Sequence, residues 1–284
     1  LNEVEMTSSN FSSSRGIQTA VKDFINKSVH DIYNEGAELP LLHSSTTQVL
    51  QAGDAEYEFP SDMRRVDFES FFLKPTELIT NGEFTSNITS WTNATTGAVG
   101  GGTPAYNSGG NGRLRLNDAA VSQAISTVKN KTYKVQARVI DSASGGSSLA
   151  IKVGNAAHAT TDLSATLTVT NYGEGKILDT TFSASQVATY ITVINSDSNN
   201  MDVDYVRVSR SDIAPKKLAH ITYDTYLQTN KVADDVNVSS AYGIPLKIIR
   251  KPDYGSFIIS PKPNTGEYTV SYDYFTTHTD LSAH

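Results

Sequence analysis

Thr132-Tyr133-Lys134-Val135-Gln136-Ala137-Arg138-Val139 places an apolar side chain at every second position. A period of two marks a strand that buries one face and wets the other. Seven further runs of the same kind surround it: Gly112–Asn117, Ala120–Ser126, Ser148–Val153, Leu163–Thr170, Lys176–Phe182, Tyr190–Asn195 and Asp202–Ser209. Gly, Asn, Asp and Ser fill the gaps between them, as turns require. Eight such runs within residues 76–210 predict an all-β jelly roll or related β-sandwich. The glycine-rich stretch Gly97–Gly112 then becomes a long flexible loop.

Moving outward, the composition changes at Lys74-Pro75-Thr76 and again at Ile213-Ala214-Pro215. Residues 76–210 contain ten acidic and ten basic residues, so the whole net charge of −7 lies in the flanks, with twenty acidic and thirteen basic. The same stretch has thirteen of the nineteen glycines and one of the nine prolines, Pro104. A neutral, glycine-rich segment between charged, proline-bearing flanks predicts an insertion into a host domain, with boundaries 1–75, 76–212 and 213–284. The alternative is three small domains in a row.

The flanks read as halves of one domain. Ile17–Asn34 has Ile17, Val21, Phe24, Ile25, Val29 and Ile32 on one side of a helical wheel and Asp23, Asn26, Lys27 and His30 on the other, which predicts an amphipathic helix. Gly36 follows at the position of a helix cap. Thr47–Gln51, Glu56–Phe59 and Arg65–Leu73 predict three strands, Leu218–Thr229 a short helix, and Pro245–Arg250, Ser256–Ser260 and Glu267–Phe275 three more strands. Neither half supplies a core alone. Joined, they predict a discontinuous α+β frame domain, an N-terminal helix plus short antiparallel strands, around the sandwich.

Composition also excludes function classes. The absence of cysteine removes disulfide scaffolds, thiolate zinc sites and thiol catalysis. Net negative charge disfavours wrapping nucleic acid. No apolar run reaches the roughly 20 residues of a membrane helix, and Leu1–Ser14 lacks the basic-then-apolar layout of a signal peptide. HExxH, GxSxG, Walker and dinucleotide patterns are missing. The six histidines have no metal-ligand spacing, and pairs such as Glu56/Glu58 and Asp202/Asp204 alternate along one strand without an opposing partner. The expectation is a protein that is not an enzyme.

Ile79-Thr80-Asn81-Gly82-Glu83-Phe84, then Trp91, the central Lys131–Val135 strand and the closing Asp202-Val203-Asp204-Tyr205-Val206-Arg207-Val208 resemble the carbohydrate-binding-module jelly roll. That resemblance implies a structural calcium ion held by Glu83 and Asp204, with oxygen-only ligation. It also implies a sugar site built on aromatic faces. Phe84, Trp91, Tyr133 and Phe182 fall on core or strand positions, which leaves the loop residues Tyr106 and Tyr172 as candidate glycan-binding residues.

The frame resembles a different family. The Ala20–Asn34 helix, Tyr57-Glu58-Phe59-Pro60-Ser61-Asp62-Met63-Arg64-Arg65-Val66-Asp67, Gly243-Ile244-Pro245, and Ile258–Pro263 followed by Tyr268–Phe275 are similar to the tail tubular protein A group, the head-to-tail adaptors of short-tailed bacteriophages. The resemblance implies a virion protein assembled in the host cytoplasm as a homo-oligomeric ring of about a dozen copies. Its partners would be the portal protein, the tail nozzle and tail fibres, with DNA passing through the channel. The sandwich would attach fibres or bind surface glycans. No cofactor beyond the calcium ion is implied. A rival reading makes the sandwich the functional part, in a carbohydrate-binding protein whose frame is a mount. A third makes it a glycosidase accessory domain.

Overall fold

A computed structural model describes residues 17–34, 42–95, 101–109, 112–142, 147–169, 175–231 and 241–277. Gly36 and Tyr172 lie outside the described residues. The chain divides into two compact units, one of Leu1–Leu73, Lys216–Thr265 and Val270–His284, the other of Lys74–Pro215 and Gly266–Thr269. Among the described residues no helix is long and apolar enough to cross a membrane.

The second unit is a β-sandwich of two five-stranded sheets. One sheet runs in the order β11 (Leu163–Val169), β10 (Ser147–Gly154), β13 (Ala188–Asn195), β8 (Ala119–Ser126), β5 (Thr92–Asn93). The other runs β12 (Lys176–Ser183), β9 (Thr132–Ser142), β14 (Met201–Arg210), β7 (Arg113–Leu116), β6 (Ala105–Asn107). Every pairing within them is antiparallel. All eight expected strands are present, within two or three residues at each end. The two short edge strands β5 and β6 were not expected, because two or three residues carry no period; β6 interrupts the loop expected at Gly97–Gly112.

Alternation decides which side chains enter the core. Tyr133, Val135, Ala137 and Val139 of β9 point inward and meet Ile151, Val153, Ile191 and Val193 from the facing sheet. Phe84 and Trp91, tilted at 5.8 Å, close one end of the same cluster. The register of β14 shifts between Val203 and Tyr205, so the strand bulges there, and Val203, Val206 and Val208 all reach the core. The spacing of Asp202 and Asp204 in sequence therefore does not carry over to an unbroken strand face.

The first unit contains α1 (Ile17–Asn34) and, among the described residues, two larger sheets and a two-stranded one. One holds β1 (His43–Val49), β21 (Tyr268–Thr276), β4 (Phe72–Pro75) and β15 (Lys216–Lys217) in that order, with β3 (Met63–Val66) also paired to β21. The other runs β16 (Ala219–Ile221), β18 (Lys247–Arg250), β19 (Ser256–Ser260), β2 (Glu56–Glu58). Its core is aromatic. Phe71 stacks on Tyr272 at 4.5 Å, and Phe257 meets Phe59 at 4.9 Å, Phe71 at 5.5 Å and Tyr272 at 5.7 Å. Each such pair adds about 0.5–1.5 kcal/mol to the burial itself.

Three expectations for the frame are corrected. Arg65–Leu73 is not one strand: Asp67 accepts from the Glu69 N–H at 2.9 Å and caps a 3-10 turn at Phe68–Ser70, which separates β3 from β4. The helix expected at Leu218–Thr229 starts only at Tyr223, as α2 (Tyr223–Thr229), because Thr222 caps it and Ala219–Ile221 are drawn into the sheet. The short strands are also not all antiparallel. β16 lies parallel to β18, and β17 (Tyr242–Gly243) parallel to β20 (Lys262–Pro263), geometries that hydrophobic patterning does not encode.

Candidate functional site

The outer face of the β11-β10-β13-β8-β5 sheet is unusual in what it lacks. Where Thr189, Ile191 and Val193 of β13 face the core, Tyr190, Thr192 and Ile194 face outward. Cross-strand register puts Tyr190 between Ala124 of β8 and Gly154 of β10. Its neighbours on both sides are thus small, and the ring is left half-buried. The next row reads Thr92, Ser122, Thr192, Lys152, Ser164 across five strands. Beyond it lie Ala120, Ile194 and Ala150, joined by Ala94. The small side chains form the floor of a cleft of about 490 Å³, walled by Tyr190 and by Asn93, Ala157 and His158.

His158 reaches the cleft from the loop after β10. It has a left-handed φ of +65°, uncommon for a residue with a Cβ. Two hydrogen bonds hold it there. Its backbone N–H donates to Thr192 Oγ1 at 3.0 Å, and its Nε2 bonds the carbonyl of Ala94. Gly154 lets the loop cross close to the strand, since a Cβ there would sit 2.6 Å from Thr161 Oγ1 and 2.7 Å from Ala159 Cβ. A carbonyl can only accept, so Nε2 donates and Nδ1 is left as the second ring nitrogen. That Nδ1 is buried and has no hydrogen-bond partner. The cleft therefore combines a half-buried aromatic ring with hydroxyl and amide groups.

The residues expected from sequence lie elsewhere. Tyr106 is on β6, an edge strand of the opposite sheet, and its hydroxyl donates to the Thr85 carbonyl at 3.1 Å. Tyr172 is outside the described residues. Glu83 pairs with Arg207 Nε at 2.6 Å, and Asp204 with Arg138 Nη1 at 3.3 Å. Asp202 is buried and held by Arg115 Nε at 2.8 Å and by Asn107 Nδ2 at 2.7 Å. Each carboxylate thus has its own cationic partner, and among the described residues no three His, Asp or Glu side chains converge as a metal-binding group.

Tyr190 and His158 were not singled out from sequence. Tyr190 sits inside a strand that looks like core, and His158 has no metal-type spacing. The available signal was the alternation in Ala188-Thr189-Tyr190-Ile191-Thr192-Val193, which puts Tyr190 on the face opposite Ile191 and Val193.

No protein-family model matches the chain, and no curated protein matches it in sequence. Solved structures resemble part of it, three of them over about half of the chain. The module TmCBM61, solved in complex with beta-1,4-galactotriose, is 15% identical and matches 48% of this chain and 99% of its own, at a TM-score of 0.38. A putative sugar binding protein from Bacteroides thetaiotaomicron is 8% identical over 48% of this chain and 100% of its own, at 0.40. Tailspike protein 4 of bacteriophage CBA120 is 15% identical over 47% of this chain and 21% of its own, at 0.35.

Proposed function

We propose that the chain is a non-enzymatic binding protein whose sandwich takes carbohydrate in the cleft at Tyr190. The single observation that carries this reading is the aromatic ring flanked by Ala124 and Gly154 above a floor of Ala, Ser and Thr. A sugar ring offers C–H groups to an aromatic face and hydroxyls to polar neighbours, so it needs one flat apolar surface and several small hydrogen-bonding groups. Ser122, Thr92 and Asn93 supply the latter. A glycan array followed by affinity electrophoresis tests it. Tyr190→Ala is expected to weaken binding at least about tenfold, while Tyr106→Ala, on the other sheet, leaves it unchanged. Full retention by Tyr190→Ala, or binding of no glycan by the native protein, rejects the cleft.

A second reading concerns the frame: a phage portal–tail adaptor that assembles as a homo-oligomeric ring and contacts portal, nozzle and fibre proteins. Two observations favour it. Phe59 and Tyr272, within the stretches that carry the adaptor resemblance, pack together with Phe257 as the frame's core. In α1, Phe24 is 70% and Val21 40% exposed, so the apolar side of the helix is available for assembly. Mass measurement with and without portal protein decides this reading, and a chain that never enters a ring in the presence of portal overturns it.

A further inference from the structure

The frame has a concavity of its own, made from charged residues. Arg65, Asp67, Phe68, His220, Arg250 and Phe275 contribute to a pocket of about 460 Å³. His220 and Arg250 also line an adjoining pocket of about 360 Å³, which reaches Tyr254.

Arg250 is held in place without being neutralised. Its guanidinium carbon lies 4.1 Å from the Tyr254 ring centroid and 5.8 Å from that of Phe68. Its Nε is buried and without a hydrogen-bond partner, and among the described residues no carboxylate pairs with the group. A half-buried guanidinium that no carboxylate among the described residues engages keeps its terminal N–H donors for a ligand. The carboxylate within the pocket, Asp67, is engaged by the Glu69 N–H at 2.9 Å. His220 stacks on Phe68 at 4.4 Å. Burial lowers its pKa; Glu69 opposes that shift and Arg250 adds to it, which leaves an imidazole able to donate one N–H.

We propose that this double pocket is an oxyanion site whose ligand is a phosphoryl group, gripped by the fork of Arg250. The fork matches two oxygens of one anion, and His220 and Arg65 line the same pocket. Three donor side chains suit the three terminal oxygens of a phosphoryl group better than the two of a carboxylate. The inference is independent of the sugar cleft and of ring assembly.

Calorimetry with sodium phosphate, against sodium chloride and sodium acetate at equal ionic strength, tests it. Phosphate is expected to bind measurably and acetate at least about tenfold more weakly. Arg250→Gln should abolish phosphate binding, and Arg250→Lys, which keeps the charge but loses the fork, should weaken it about tenfold. Amide shifts of the native protein on phosphate addition should cluster at residues 65–68, 219–221 and 250, a readout that does not depend on a variant folding. Thymidine monophosphate in place of phosphate separates the sources: equal affinity assigns the site to the free ion, and tighter binding assigns it to a nucleotide whose base the phenylalanines cover. Equal binding of acetate, unchanged binding by Arg250→Gln, or amide shifts confined to other residues overturns the proposal.

Discussion

Glu267→Ala is expected to destabilise the sandwich by about 3–5 kcal/mol, read by urea denaturation at neutral pH. Glu267 lies in the second flank by sequence, but Gly266–Thr269 belong to the sandwich unit. Its carboxylate accepts from the Tyr133 hydroxyl at 2.5 Å and from Arg210 Nη1 at 2.5 Å. Tyr133 is fully buried, and Arg210 and Glu267 are both within a tenth of being so. Tyr133 Oη also accepts from the Val128 N–H at 2.7 Å, so its own hydrogen must go to Glu267. Burial, together with the carboxylate beside it, holds the Tyr133 hydroxyl well above the ordinary tyrosine range.

Truncation to alanine strands two groups at once. Tyr133 loses its acceptor, and Arg210 retains only Asp212, which it grips through Nε and Nη2 at 2.6 Å each. Glu267→Gln separates the contributions, because an amide oxygen still accepts from Tyr133 while the charge disappears. It should cost less than the alanine variant. Adding Arg210→Met to Glu267→Leu should recover part of the loss, since removing both charges is milder than removing one. If Glu267→Ala costs under about 1 kcal/mol, the cluster is no more than a surface ion pair.

This contact also shows where sequence reading reaches its limit. The strands of the sandwich were legible because each buries one face, and alternation records that directly. Glu267 was read as the first residue of a frame strand, since nothing in Thr265-Gly266-Glu267-Tyr268 announces a partner 134 positions away. The same holds for β16, whose parallel pairing with β18 depends on tertiary contacts that three residues cannot encode. The cleft was hidden for a related reason. Tyr190 is flanked by the small residues Ala124 and Gly154, which become its neighbours only once the register is fixed. Glycine-rich loops, the usual place for binding residues, announce themselves by composition, whereas a residue on a sheet face does not.

Gly82→Ala is the second large effect, and it separates the structural from the functional meaning of Asn81-Gly82-Glu83-Phe84. A Cβ at position 82 would fall 2.2 Å from the Val206 carbonyl oxygen and 2.8 Å from Ile79 Cγ2. The carbonyl cannot retreat cheaply: Val206 is a core residue of β14, and its N–H donates to the Gly82 carbonyl at 2.8 Å. Next to the glycine, Asn81 has a φ of +53°, its side chain donates to the Asn87 and Thr89 carbonyls, and its own carbonyl accepts from Trp91 Nε1 at 3.2 Å. Overpacking at such a point is expected to cost about 2–3 kcal/mol, with the emission of Trp91, the sole tryptophan, as a local readout. Glu83→Ala should behave differently. The Glu83–Arg207 pair is about half exposed on both sides, so its loss should cost at most about 1 kcal/mol and leave Trp91 undisturbed. Chelation by EDTA should then shift the melting temperature of neither the native protein nor Glu83→Ala. The opposite ranking, a mild glycine variant beside a severe, EDTA-sensitive glutamate variant, would make Glu83 a metal ligand. The order expected here instead makes this tetrapeptide a packing device, in which glycine admits the neighbouring strand, asparagine turns the chain and tryptophan closes the core.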